Sequence, residues 1–281
     1  MSVRQQKQQF EKQLKDFVQE LSSYFLGYDN QWSIKGFIDC YKNIYTLSSD
    51  TKIISKIFEI HLFPKLLEFA ERYNFMLIPA SCQNYYPDIS LVRKDSEKIR
   101  FALDIKTTYS VPEKPEYCNG FTLGSHGEYF ISRSSTKNIQ FPYNSYLGHY
   151  CLGAIYHRPI TDVEQTRVYK LDELQSIPSV IKDIRLFVAE KWKIASDKQG
   201  SGNTANIGSI KYIPDILALN GTFSRLGEKW FDDYWMNYGK ITVVDENGKS
   251  KTIRDIESFL RYRNGNVKLI VKPNSRRTYD K

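Results

Sequence analysis

The run from Ile99 to Tyr109 constrains this chain more than any other stretch. Ile99, Phe101, Leu103 and Ile105 alternate there with Arg100, Ala102, Asp104 and Lys106. A period of two is the mark of a β-strand, because successive side chains on a pleated backbone point to opposite faces. The alternation sets Asp104 and Lys106 on one face and the large apolar residues on the other. Such a strand needs neighbours, and strand-like segments supply them at Phe75–Ile78, Asp88–Arg93, Tyr150–His157 and Ile184–Ala189.

Helical periodicity appears elsewhere. Within residues 5–26, Phe10, Leu14, Phe17, Val18, Leu21 and Phe25 recur at spacings of three and four, giving one apolar stripe. That helix either caps the core or serves as a dimer element. A second helix opens at Ser49 or Asp50, both good N-caps, and turns Ile53, Ile54, Ile57, Phe58 and Leu62 inward. It carries Glu59 and has a kink point at Pro64. A third covers Trp230–Tyr238, followed by a hairpin of Ile241–Val244 and Lys251–Ile253 turned through Asn247-Gly248. Segments 110–127 and 197–209 read as loops, and the tail from Lys268 onward as frayed. Helices mixed with a central sheet give an α/β or α+β architecture.

The net charge of +8 favours a polyanionic partner, since clustered Lys and Arg release counterions from a phosphate backbone. A merely basic protein would have the same balance. The four cysteines, Cys40, Cys82, Cys118 and Cys151, form no C-x-x-C pair, so neither a zinc knuckle nor a disulfide framework is expected. His126, His149 and His157 lack partner spacing and read as structural, while Trp192, Trp230 and Trp235 read as core or interface. The N-terminus is polar, and no apolar run approaches the roughly 18 residues of a membrane helix. A reduced, cytoplasmic protein is expected.

The chemistry-bearing stretch is Pro87-Asp88, fifteen residues, then Asp104-Ile105-Lys106. Two carboxylates on neighbouring strands can grip one hard cation, and magnesium needs only a few such oxygens beside its waters and a phosphate. A lysine two residues along the strand can orient an attacking water or offset charge developing on phosphorus. A strand with a solvated outer face explains the same letters, and Asp50-Thr51-Lys52 repeats the Asp-x-Lys pattern. Gly200-Ser201-Gly202-Asn203 is followed by no Gly-Lys-Ser/Thr, so it is no P-loop. It is either a flexible connector or a reader of DNA. In the second case its glycines let backbone groups reach base edges, and Asn203 pairs with adenine N6 and N7.

Longer stretches carry a resemblance. Asn84-Tyr85-Tyr86-Pro87-Asp88, Phe101 to Tyr109, Phe121-Thr122-Leu123-Gly124, Thr136-Lys137-Asn138-Ile139, Gly200 to Thr204 and Asn206 to Ile210 stand in the same order as in EcoRV-like type II restriction endonucleases. That family lies within the PD-(D/E)XK nuclease superfamily, and the likeness spans roughly residues 20–240. It implies an α/β restriction-endonuclease-like core, a central mixed β-sheet flanked by helices. It implies Mg2+-dependent hydrolysis of double-stranded DNA at a short palindrome, leaving 5′-phosphate and 3′-hydroxyl ends.

By the same resemblance, Asp88 and Asp104 match metal-binding carboxylates and Lys106 the catalytic lysine. Glu59 matches a helix glutamate near the site that joins the catalytic and metal-binding residues and assists a metal-bound water. Lys52 matches a basic residue near DNA, Thr107 and Thr108 match positions near phosphates, and Gln83 and Asn84 match a minor-groove loop. Gly200, Ser201, Gly202, Asn203 and Thr204 match the major-groove recognition loop without change, which implies a GAT half-site and hence GATATC. Ser81-Cys82, Tyr85 and Ala205 depart from the pattern and bear on DNA contacts rather than on catalysis.

The expected organisation is a single nuclease domain, 1–281. An N-terminal helical or dimerisation part runs to about 48, a catalytic and DNA-binding part covers about 49–240, and a C-terminal extension covers about 241–281. A homodimer fits a palindrome, and a cognate DNA methyltransferase is expected beside such an enzyme. The rival readings are a structure-specific repair or junction nuclease and a DNA-binding protein that does not cut.

Overall fold

The structure is a computed structural model and describes residues 2–27, 31–159, 167–200, 205–244 and 248–274. Along the chain run α1 (Val3–Phe25), β1 (Gly36–Ile38), β2 (Asn43–Thr46), α2 (Thr51–Arg72), β3 (Phe75–Pro79), β4 (Ile89–Arg93), β5 (Ser96–Val111), β6 (Lys114–Cys118) and β7 (Thr122–Ser125). There follow α3 (Glu128–Ile131), β8 (Gly148–His157), β9 (Val168–Lys170), β10 (Lys182–Glu190), α4 (Lys191–Ile194), β11 (Ala195–Gln199) and β12 (Asn206–Ser209). The last elements are α5 (Ile213–Leu217), α6 (Glu228–Asn237), β13 (Thr242–Val244), β14 (Ser250–Thr252) and α7 (Ile256–Tyr262). A central mixed sheet of order β10-β8-β5-β4-β3, with β6 on β5, is flanked by helices, as in the restriction-endonuclease fold. Among the described residues no helix is long and apolar enough to cross a membrane.

The chain divides into two compact units, each built from several segments. One comprises Met1–Leu77, Ile105–Asn119 and Leu152–Val188. Its core is the packing of α1 on α2. The stripe of Phe10, Leu14, Phe17, Val18, Leu21 and Phe25 is buried, and Asp50 caps α2 by accepting the N–H groups of Lys52 and Ile53. Phe69 takes the rings of Phe17 at 4.9 Å and Phe10 at 6.2 Å, while Phe25 stacks on Phe58 at 4.5 Å. Ile53 departs from expectation and lies exposed, because the α2 stripe starts at Ile54 and the first turn faces solvent.

The second unit comprises Ile78–Asp104, Gly120–Cys151 and Ala189–Lys281. Here β4 and β5 form an antiparallel hairpin in the register Ile89↔Leu103, Ser90↔Ala102 and Leu91↔Phe101. Residues on both faces are buried, which is why β4 reads Ile-Ser-Leu-Val rather than as an alternating strand. A second sheet, β11-β12-β7, lies in the same unit.

Both segments expected as loops are corrected. Residues 110–127 contain the end of β5, β6 and β7, and 197–209 contains the end of β11 and all of β12. Their Gly, Ser and Pro content hid short strands with shifted registers, and β7 pairs with β12 only through a distant ladder. The tail is also corrected: Val271 is buried, and the Asn274 N–H donates to Asp215 at 2.8 Å, so frayed structure does not begin at Lys268. The β13–β14 hairpin forms as expected, with Gly248 at φ +74°, while Asn247 lies outside the described residues.

Phe69 is fully buried among four aromatic neighbours, so Phe69→Ala leaves a cavity that rigid rings fill poorly. The expected cost is about 3–5 kcal/mol, read as a lowered denaturant midpoint at unchanged m-value.

Candidate active site

The hairpin register fixes the centre of the site. Extending the Ile89↔Leu103 pairing by one residue sets Asp88 against Asp104, and the Asp88 N–H donates to Asp104 Oδ1 at 3.2 Å. Asp88 is half-buried and Asp104 only 3% exposed. Beneath them on the same face, the Ser90 hydroxyl shares a 2.7 Å hydrogen bond with the Tyr146 hydroxyl. Lys106 follows two residues after Asp104 on β5 and is half-buried.

Two opposed carboxylates, one deeply buried, are costly in a low-dielectric setting and favour a bound cation. The donors are hard oxygens, which suits a divalent ion that keeps waters in its remaining positions. Among the described residues no group of three or more His, Cys, Asp or Glu side chains that could hold a metal ion comes together. Glu59 lies on α2 with its carboxylate on the Lys56 ammonium, one turn away. The competing Asp50-Thr51-Lys52 motif is accounted for locally, because Asp50 is a helix cap.

The remaining candidates range from exposed to buried. Lys52 is exposed on the first turn of α2. Gln83 and Asn84 are exposed in a tight turn between β3 and β4, closed by the Tyr85 N–H on the Cys82 carbonyl at 3.0 Å. Thr107 is half-buried and Thr108 is buried. Gly200 follows β11, and its N–H donates to the Asn206 carbonyl at 2.9 Å. Ser201, Gly202, Asn203 and Thr204 lie outside the described residues. The hairpin that carries them is tight: a Cβ on Gly208 would stand 2.6 Å from the Lys198 carbonyl oxygen.

Four residues that sequence reading left aside gather beside Asp88. Tyr86, two residues before it, is buried, and its hydroxyl meets His149 Nδ1 at 2.9 Å. Tyr143 stacks on His149 at 3.7 Å, and the Lys191 ammonium sits 4.2 Å from the centre of the Tyr86 ring. Burial, with Asp104 nearby adding to it, pushes the Tyr86 hydroxyl well above its ordinary pKa. Burial likewise raises Tyr146 to about 12. Tyr86 was legible inside the Tyr-Pro-Asp motif. Its link to His149 spans 63 residues and has no spacing signal.

A mixed sheet flanked by helices, with paired carboxylates on a central hairpin and a lysine two residues on, defines a nuclease of the restriction-endonuclease class. The relatives bear this out in particular. The family described as restriction endonuclease EcoRV matches residues 28–264. The type II restriction enzyme EcoRV of Escherichia coli is 35% identical over 233 residues, 83% of this chain and 92% of that enzyme. The chain belongs to the EcoRV family of type II restriction endonucleases, and its substrate is DNA.

Proposed function

We propose that this protein is a magnesium-dependent endonuclease that cuts both strands of GATATC as a homodimer. The observation carrying this reading is the Asp88–Asp104 pairing across β4 and β5 in a chain of this family. Asp88 and Asp104 would hold Mg2+, which when bound polarises the phosphate and acidifies water. The Asp88 N–H holds the Asp104 carboxylate in place beforehand, so little reorganisation is needed when DNA arrives. Lys106 offsets charge developing on phosphorus and steers the attacking water. Glu59 assists from α2, released from Lys56. Lys52, Thr107 and Thr108 serve backbone phosphates, and Gln83 and Asn84 enter the minor groove.

Sequence is read by Gly200, Ser201, Gly202, Asn203 and Thr204. The support is their unchanged match to the family's recognition loop, together with the chemistry of Asn203 toward adenine. The central TA step of GATATC unstacks easily, which lowers the cost of bending the scissile phosphate toward the carboxylates. A cytoplasmic enzyme of this kind is lethal to its host unless host sites are modified, so a cognate DNA methyltransferase accompanies it.

A palindrome asks for a two-fold partner. Support for a second copy comes from the small sheet β1-β2-β9. Phe37, Tyr45 and Val168 stand opposite one another across its three strands and are 53%, 45% and 45% exposed. The reverse face carries Ile44 and Tyr169 into a core with Ile177. A continuous apolar row on an outer sheet face suits an isologous contact.

Four outcomes are expected. Asp104→Ala abolishes cleavage while DNA binding in Ca2+ is kept or tightened, and Lys106→Ala slows single-turnover cleavage by about 10²–10³-fold with little change in binding. Wild-type cleavage of plasmids carrying GATATC, but not single-base variants, is read from fragment ends; cutting at another palindrome overturns the specificity and leaves the nuclease standing. Tyr45→Asp converts a dimer to monomer in sedimentation and turns double-strand cutting into slow nicking.

A further inference from the structure

We propose that Lys191 is a positioning residue that couples the recognition hairpin to Asp88 through the ring of Tyr86; this rests on the reading of that hairpin as the DNA reader. Lys191 opens the short helix α4, which runs without a break into β11 and so to Gly200. It is 1% exposed, an extreme burial for a lysine. Its ammonium lies 4.2 Å from the Tyr86 ring centre and 5.6 Å from that of Tyr143. A cation over an aromatic face is attracted by the ring quadrupole, most strongly where water is excluded.

The hairpin reaches the same place by a second route. β12 pairs with β7, and Gly124 of β7 lies so close that a Cβ there would stand 3.1 Å from Lys191 Nζ and 3.8 Å from Tyr86 Cδ2. The far side of Tyr86 is fixed. Its hydroxyl is on His149, its N–H donates to the Asn138 carbonyl at 3.0 Å, and its carbonyl accepts from the Gln140 N–H at 2.8 Å. The residue that follows is Pro87, whose ring fixes φ, and then Asp88. A shift of the recognition hairpin along its axis therefore moves Lys191 across the Tyr86 ring, and Tyr86 has few ways to yield except toward Asp88. DNA that seats the loop correctly would hold Asp88 in its productive place, and a mismatched sequence would not.

The test compares Lys191→Met, Lys191→Gln and Lys191→Arg with wild type. Met keeps the stem volume and removes the charge, a change that often leaves a buried site as stable as before. Each protein is measured for thermal melting, for DNA affinity in Ca2+, and for single-turnover cleavage in Mg2+. The cleavage substrates are the DNA sequence that wild type cuts fastest and its single-base variants.

The expected result is a loss of about tenfold or more on the best sequence for the Met and Gln variants, the size a desolvated cation over a ring can transmit. The single-base variants should slow far less, so discrimination narrows, with affinity in Ca2+ within about threefold. Arg, which keeps a cation over the ring, should restore most of the rate. Equal losses on all sequences, or unchanged discrimination in either charge-free variant that melts like wild type, overturns the coupling. Should both melt early, an Arg variant that folds yet discriminates as poorly as they do overturns it as well. A wild type that cuts no DNA at all is a failure of the nuclease reading instead.

Discussion

The antiparallel pairing of β4 with β5 is the constraint on which the rest of the molecule depends. Its register sets Asp88 against Asp104, and a slip of one residue would turn every β4 side chain to the other face. Slippage is opposed from both sides, because Ile89 and Leu91 on one face and Ser90 and Val92 on the other are all buried. The turn adds a local clasp, with Arg93 donating to both carboxylate oxygens of Asp95. Exposed pairs of this kind contribute little energy, so the register rests on burial rather than on the ion pair.

Buried polar groups around the hairpin are tolerated because they meet one another. Ser90 meets Tyr146, and Tyr86 meets His149, which lies flat against Tyr143. Unpaired, each would cost on the order of 1–3 kcal/mol. Paired, they stiffen the segment that presents Asp88. The same unit holds the β11-β12-β7 sheet, so Asp88, Asp104 and the β11–β12 pair belong to one compact unit.

In the other unit the organising contacts are aromatic. Phe10, Phe17, Phe25, Phe58 and Phe69 interleave α1 with α2, and rings of this size supply most of the apolar area that a helix pair can bury. The small sheet β1-β2-β9 is different in kind. One face serves the core through Ile44 and Tyr169, while the other leaves Phe37, Tyr45 and Val168 to solvent. A sheet this small with two apolar faces is suited to a partner.

The sequence by itself determined what is periodic or contiguous. The α1 stripe, the Asp50 cap, the alternation that sets Asp104 and Lys106 on one side of β5, and the Tyr-Pro-Asp segment are all local, and local steric rules suffice to read them. The hairpin at β13–β14 was legible for the same reason, since its turn residues announce it. The tertiary structure decided what depends on distant partners. β7 and β12 carry Gly and Ser and pair with each other across a long stretch of chain, while the short β5–β6 and β11–β12 ladders have shifted registers that leave no clean alternation to read. Ile53 is apolar yet exposed, because a stripe tells which residues align and not where its burial begins. His149 and Lys191 have no motif of their own. Their shared partner Tyr86 lies 63 residues from His149 and farther still from Lys191, and only chain folding can bring such groups within hydrogen-bonding or ring-contact distance.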